Sequence, residues 1–516
     1  MNKQKEQPLT PFSGSLQVNL QTIRHCFGDS SDVVIRLFSS DAVPGRSLAI
    51  AYVDGITDAE MINLSIMEPL MSLKLPPEAD RRKTRLLDAL RSCVISVGRV
   101  DKSDFIQEAL QAMADGLCLI MVDGIPAALM AEVRGGERRD AGAARTQTVI
   151  RGPQSGFAEH LRTNISLIRS MIRSADLHVQ IHKLGSQTHS DVAVLFLHGV
   201  VDDGILKEVY RRLAAIDIDG ILENGCIEDF IQDESFTPFP TILNTERPDA
   251  VAAGLLEGRV AIMVDGSPLA LIAPTTFFAF FESAEDNYQR YDIAVFIRMI
   301  RYAAYAIAML LPALYIAVTT FHQEMLPAAL LMSLMTQREG IAFPALAELL
   351  LMEATFEVLR EAGLRMPRTI GPALSIIGAL ALGQAGVQTG IVSAGVVTVV
   401  ALTAISSFVI PEYSMAATTR LTRFMFTLMG GLLGFFGIFV SVLILLVHLA
   451  SLRSLGMPYL SPLASGGARQ GMWREVFVRR PWWTMVLRPL DIKLLNPRRR
   501  PDRRKPAVQR HSGKPS

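Results

Sequence analysis

Cysteine and tryptophan are scarce in this chain, at four and three residues among 516. Cys26, Cys93, Cys118 and Cys226 lie far apart and form no CxxC pair. That excludes a disulfide framework and a thiolate metal cage, and fits a reducing compartment. A charge excess is missing too: Lys and Arg number 51 against 50 Asp and Glu, a net +1. Nothing in that balance points to nucleic acid. There is no Walker loop, no GxGxxG after a strand and no GxSxG elbow. The opening stretch "MNKQKEQPLTPFSG" is polar and holds no apolar core. A cleaved signal peptide is therefore not expected, and the region that follows is expected to stay in the cytosol.

What the chain has in plenty is apolar surface. Half of its residues are hydrophobic and its mean hydropathy is +0.29. The excess is concentrated in residues 293–452, whereas 1–290 reads like a soluble protein.

Within that soluble region the pentapeptide "IMVDG" occurs at 120–124 and again at 262–266, followed each time by proline (Pro126, Pro268). The match extends to "GLCLIMVDGIPAALMAEV" (116–133) and "GRVAIMVDGSPLALIAP" (258–274). Upstream, "SLAIAYVDGITDAEMINLSIMEPL" (47–70) resembles "VAVLFLHGVVDDGILKEVYRRL" (192–213). Such self-similarity predicts two copies of one α/β subdomain, over 28–133 and 174–273, with a helix over 157–174 between them. The organisation expected is a flexible N-terminus (1–27), α/β subdomains at 28–150 and 151–290, an all-α polytopic membrane domain (291–455) and a basic, largely disordered cytosolic tail (456–516).

Asp123 and Asp265 read as hairpin-turn residues, because Asp-Gly supplies the backbone freedom a tight turn needs. A catalytic role would require a base, nucleophile or metal partner at a usable spacing, and the pattern offers none. His198 stands where the first copy has Asp54 and reads as a strand-end residue. The acidic run "ENGCIEDFIQDESFTPFPT" (223–241) lacks the register of a calcium loop and reads as a solvated loop. No catalytic, cofactor-binding or metal-binding residue is predicted, and no enzyme.

In the apolar region, 302–320 carries no charge and is long enough to cross a bilayer, with Arg298 and Arg301 before it as cytoplasmic anchors. Further spans are expected at 370–388, 391–410 and 424–450. The first two of these are rich in Gly, Ala and Ser, as helix–helix faces in lipid are. Between the spans lies 326–362, apolar yet carrying Glu348, Glu353, Glu357, Arg360 and Glu361. Glu353, Glu357 and Glu361 share one helix face. Charges at this density do not face lipid, so the segment is expected to lie in the interface, re-enter, or line water.

Residues 474–514 hold 13 Lys and Arg against 3 Asp and Glu, which places the tail in the cytosol and requires an even number of crossings. Four spans and a re-entrant 326–362 meet that requirement but leave Arg420 and Arg423 outside. A full crossing at 341–360 brings those two inside and exports the tail. The tail's larger charge bias favours the first arrangement. Beyond 497 the chain is basic and Pro-rich, suited to anionic lipid head groups.

The stretch 326–424, with "EVLREAGLRMPRTIG" and "IIGALALGQAGVQTGIVS", resembles the membrane core of the A subunits of bacterial spore germinant receptors, the GerA family. "ENGCIEDFIQDESFTPFPTILNTERPDA" resembles it as well, and the similarity covers 170–450. The tail beyond 455 is longer than the family pattern. The resemblance implies a multi-pass protein of the inner membrane of the spore, with its N-terminal domain and tail cytosolic. It implies work alongside a transporter-like B subunit and a lipoprotein C subunit, in a receptor that senses nutrients and triggers ion release. It further implies a homo-oligomer in the lipid bilayer forming a nutrient-gated cation channel, with no cofactor and no nucleic-acid partner. On that reading Glu353 and Glu357 are the first candidates for an ion pathway or gate, with Glu348 beside them, since carboxylate rings favour cations. Gln384 and Gln388 come next, and an interhelical hydrogen bond is the alternative for that pair. A non-conducting scaffold is the rival function. A secondary transporter is disfavoured because the repeat lies in the soluble half.

Overall fold

The chain divides into two compact units. Met1–Gln232, Ile242–Pro274 and Met485–Ser516 form the first, Asp233–Thr241 and Thr275–Thr484 the second. The computed structural model describes residues 10–40, 45–72, 83–135, 142–144, 147–365, 383–463, 476–485 and 488.

The first unit holds two antiparallel five-stranded sheets. One consists of β1 (Val33–Ser39), β2 (Ser47–Val53), β3 (Val100–Ser103), β4 (Leu117–Val122) and β5 (Ala128–Glu132), in the order β1-β2-β4-β5-β3. The other consists of β6 (Leu177–Leu184), β7 (Ser190–Leu197), β8 (Leu243–Thr245), β9 (Val260–Val264) and β10 (Ala270–Ala273), in the order β6-β7-β9-β10-β8. The strand order is the same in both. The central strands are apolar throughout because each sheet is buried on both faces. In the first sheet Cys118, Ile120 and Val122 pack with Ile62, Ile66 and Leu70 from the helical stretch 59–72. Leu119 and Met121 point the other way, onto Leu16, Leu20 and Ile23 of α1 (Leu16–Cys26) and Met113 of α2 (Ile106–Ala114). In the second sheet Ala261 and Met263 pack with Ile165 and Ile168 of α3 (Leu161–Met171).

Within the N-terminal stretch expected to be flexible to residue 27, Leu16–Cys26 is therefore a helix of the first sheet's core. The Asp-Gly turns explain its place. Both hairpins form as expected, with Gly124 and Gly266 at φ 85° and 89°. Beyond turning the chain, Asp123 Oδ1 accepts the N–H of Leu16 at 3.0 Å, and Asp265 Oδ1 that of Leu161 at 2.9 Å. Each carboxylate thus satisfies an open donor at the start of the first helix of its own half, where negative charge is favoured. Gly124 and Gly266 donate to Gly14 O and Glu159 O at 2.9 and 2.8 Å. Buried Asn19 and Asn164 complete the same knot, bonding both backbone groups of Ser13 and Ala158 at 2.7–2.8 Å.

The acidic run expected as a loop is helical in its first part, while 232–241 is loop. Asn224–Ile231 is a helix that buries Ile227 and Ile231 on one face. Glu223 caps it by accepting the Gly225 N–H at 2.7 Å and the Ser267 hydroxyl at 3.0 Å.

The two halves of the first unit are joined by a buried ion pair. Arg169 grips Asp32 through Nε–Oδ2 at 2.7 Å and Nη2–Oδ1 at 2.9 Å, with 1% and 6% of the side chains exposed. Arg169 Nη2 also donates to Ser30 Oγ at 3.1 Å. Ser30 Oγ accepts the Val179 N–H at 2.7 Å, and Ser31 N–H donates to Val179 O at 2.8 Å. The loop after α1 thereby continues the edge of β6. His178 lies beside this joint, its ring stacked on His198 at 5.0 Å and edge-on to Phe196 at 5.3 Å. Gly28 faces the same ring so closely that a Cβ there would overlap it.

In the second unit lie α4 (Tyr291–Thr320), α5 (Ala328–Arg338), α6 (Ala345–Arg365), α7 (Ala394–Phe408) and α8 (Tyr413–Ser451). Two of these, α4 and α8, are long and apolar enough to cross a bilayer. They contain the spans expected at 302–320 and 424–450. The one expected at 391–410 is a helix of 15 residues, about 22 Å long. That falls short of the ~30 Å hydrocarbon thickness. The one at 370–388 lies mostly outside the described residues, apart from a helical turn at 383–388. The stretch 326–362 forms two helices, not one, because Gly340 at φ 92° breaks it. The long α8 is interrupted at Gly434, with φ 62° and ψ −143°. At Gly430 a Cβ would lie 2.9 Å from Ala313 O, so only glycine allows this approach of α8 to α4.

Arg298 and Arg301, expected as cytoplasmic anchors of the first span, are buried and paired. Arg301 Nη1 bonds Asp286 at 2.9 and 2.7 Å, and Arg298 bonds Glu282 at 2.9 Å and Val476 O at 3.1 Å. The carbonyls of Gln289 and Asn287 accept from Arg479 at 2.7 and 3.0 Å. A piece of the tail expected to be disordered, 476–484, is thus held in place.

Two outcomes follow from the first unit. Arg169→Ala strands a buried carboxylate and is expected to cost about 3–5 kcal/mol in urea unfolding, while Arg169→Met paired with Asp32→Leu costs less. Burial first, then His198, holds the His178 imidazole below its ordinary range. The unfolded chain therefore takes up the proton first, so this contribution to stability is lost as pH falls through about 6.5 toward the lower folded value. Unfolding midpoints are expected to drop below that pH in the wild type and to drop less in His178→Gln.

Candidate functional site

The acidic residues of α6 define the site, and each meets a different fate. Glu348 is fully buried and caps a neighbouring helix. Its Oε1 accepts the Ser393 N–H at 2.5 Å and the Ser393 hydroxyl at 2.6 Å, at the start of α7. Its charge is spent on a helix N-terminus.

Glu357 is half-buried between arginines of α8. It accepts from Arg420 Nη1 at 3.0 Å and Arg423 Nη2 at 2.9 Å, and lies 4.0 Å from Arg360. Arg360 reaches Ser407 Oγ at 2.7 Å and lies over the rings of Phe356 and Phe408 at 5.2 and 4.8 Å. Glu361, one turn further on, turns outward and pairs with Arg365 at 2.7 Å. The acidic face read from the sequence is real as a register, but basic residues from another helix neutralise it.

Glu353 differs. Only 1% of its side chain is exposed, and its nearest charge is Arg423 Nε at 3.4 Å. Among the described residues no hydrogen-bond donor reaches either of its carboxylate oxygens. A buried carboxylate with charge compensation but no hydrogen bond calls for a specific explanation.

Gln384 and Gln388 sit exposed on the helical turn at 383–388, and the structure does not bring them to the carboxylates. Arg420 and Arg423 are the participants that sequence reasoning missed as partners. The signal was present: an Arg pair in an otherwise apolar segment has to find acids. No group of three or more His, Cys, Asp and Glu side chains that could hold a metal occurs among the described residues.

Residues 21–490 match the family model described as Bacillus/Clostridium GerA spore germination protein. The chain belongs to this family. Spore germination protein KA of Bacillus subtilis (strain 168) is 44% identical over 490 residues, covering 95% of this chain and 89% of that one. The membrane protein YfkQ of the same organism is 38% identical over 479 residues, covering 93% and 91%. Among solved structures, the N-terminal domain of the A subunit of the Bacillus megaterium spore germinant receptor GerK3 is 34% identical. It covers 52% of this chain and 99% of that one, with a TM-score of 0.41.

Within this GerA-family site the pairing of Glu357 can be tested directly. Glu357→Gln removes the charge and one of the two acceptor oxygens that hold Arg420 and Arg423 and is expected to destabilise the protein by about 1–3 kcal/mol, seen as a lower melting temperature in detergent. Glu361→Gln, at an exposed pair, is expected to shift it hardly at all.

Proposed function

We propose that this protein is the A-type membrane subunit of a nutrient-sensing germinant receptor, working with a transporter-like B subunit and a lipoprotein C subunit. The two α/β halves are copies of one subdomain and form a cytosolic platform. The second unit is a multi-pass domain of the spore's inner membrane, with the C-terminal tail on the cytosolic side. Several copies assemble around a ligand-gated cation path that opens at the start of germination. No catalysis and no cofactor enters this reading.

The observation that carries it is Glu353. A carboxylate that is buried, without a hydrogen bond and beside a single arginine is poised to exchange that arginine for a permeating cation. Glu348 and Glu357 are structural on this reading, and Gln384 and Gln388 remain candidates for the wall of the path. The pairing of Arg420 and Arg423 also removes an obstacle to the topology. Neutralised arginines do not count as free charge in the inside-positive balance, so they no longer oppose a cytosolic tail.

The rival is a non-conducting scaffold, favoured by the near-complete neutralisation of α6. Cation current through the reconstituted full chain, with B and C subunits added, separates the two. Glu353→Gln leaves Glu357 to hold both arginines, so the complex still assembles. It is expected to lower cation-over-anion selectivity. A complete complex that carries no current would favour the scaffold, and an unchanged selectivity would remove Glu353 from the ion path.

A further inference from the structure

The joint inside the first unit has a counterpart that is left open. "LQVNLQTIR" (16–24) aligns with "LRTNISLIR" (161–169), which sets Arg24 against Arg169. Asp54 N–H donates to Asp32 O and His198 N–H to Asp176 O, both at 2.8 Å, which sets Asp32 against Asp176. The β1–β2 register pairs Val33 with Val53, and the β6–β7 register pairs Leu177 with Leu197. Ile35 therefore takes the place of Val179.

In the second half, Arg169 and the edge of β6 at Val179 are covered by Ser30, Ser31 and Asp32 of the first half. In the first half, the corresponding receptor is bare. Arg24 is exposed and has no ion-pair partner among the described residues. With Phe27, Asp29, Ser30, Val33 and Ile35 it lines a cavity of about 210 Å³. The complementary group is exposed as well. The Asp176 carboxylate accepts the Ser174 hydroxyl at 3.1 Å and has no ion-pair partner among the described residues, whereas its counterpart Asp32 is 6% exposed. The burial of α1 and α3 differs in the same sense: Gln21 and Arg24 face solvent where Ser166 and Arg169 are buried.

We infer that Arg24 and the free edge of β1 receive Ser174–Asp176 of a second copy of this chain. The contact repeats, between chains, the one that Ser30–Asp32 makes with Arg169 within a chain. It joins two different surfaces, so it propagates head to tail and closes into a ring when the rotation permits. The inference rests on the oligomeric reading above and names its surface.

The test mixes two full-length chains in liposomes, each with Cys26 replaced by serine and differently tagged, one carrying Arg24→Cys and the other Asp176→Cys. Mild oxidation is expected to give a disulfide-linked species containing both tags. Arg24→Glu and Asp176→Arg, each alone, are expected to weaken association about tenfold or more, as an opposed charge pair does. The two reversals together are expected to restore it. Both side chains are exposed, so melting temperatures are expected to stay unchanged. An oligomer that forms without the crosslink and ignores the reversals would overturn this surface while leaving the oligomeric reading intact. A wild-type chain that stays monomeric in the complete receptor would overturn both.

Discussion

The Arg169–Asp32 pair carries the architecture of the first unit. A guanidinium and a carboxylate taken out of water are costly unless their geometry is good and the remaining donors are satisfied. Here two parallel hydrogen bonds join them, and Ser30 Oγ and Ser174 O take two more of the guanidinium's donors. Such a pair tolerates little sliding, because a shift strands a buried charge. Its main effect is one of orientation: it fixes the loop after α1 against the edge of β6, and with it the place of the second half relative to the first.

Much of this was legible in the sequence, and the exceptions have physical causes. The repeated Asp-Gly announced two hairpins because backbone freedom at glycine is a local property. Its second duty, receiving the N–H of Leu16 or Leu161, joins residues more than a hundred positions apart. No local pattern encodes that. The clue lay elsewhere, in the shared spacing of "LQVNLQTIR" and "LRTNISLIR", which places a buried Asn and an Arg at matching positions. The acidic run at 223–241 misled because its charges dominate the eye. Ile227 and Ile231, four apart, decide the helix.

The candidate site shows a different limit. Helical spacing placed Glu353 and Glu357 on one face, and their density was read only as unsuited to lipid. What spacing cannot supply is the identity of the compensating group on another helix. As topology signals, Arg420 and Arg423 each count as free charge. The structure turns them into partners of Glu353 and Glu357. Arg298 and Arg301 change meaning in the same way, because Asp286 lies between them.

That conversion bears on how charge works in this apolar unit. If the acids lined a bare ring, their mutual repulsion would oppose assembly and would have to be relieved by bound cations. With Arg420 and Arg423 drawn from α8, Glu357 is satisfied within one chain, and the helices pack with no bound cation needed at that carboxylate. Among the described residues Glu353 has a hydrogen bond at neither oxygen, and its arginine is shared with Glu357.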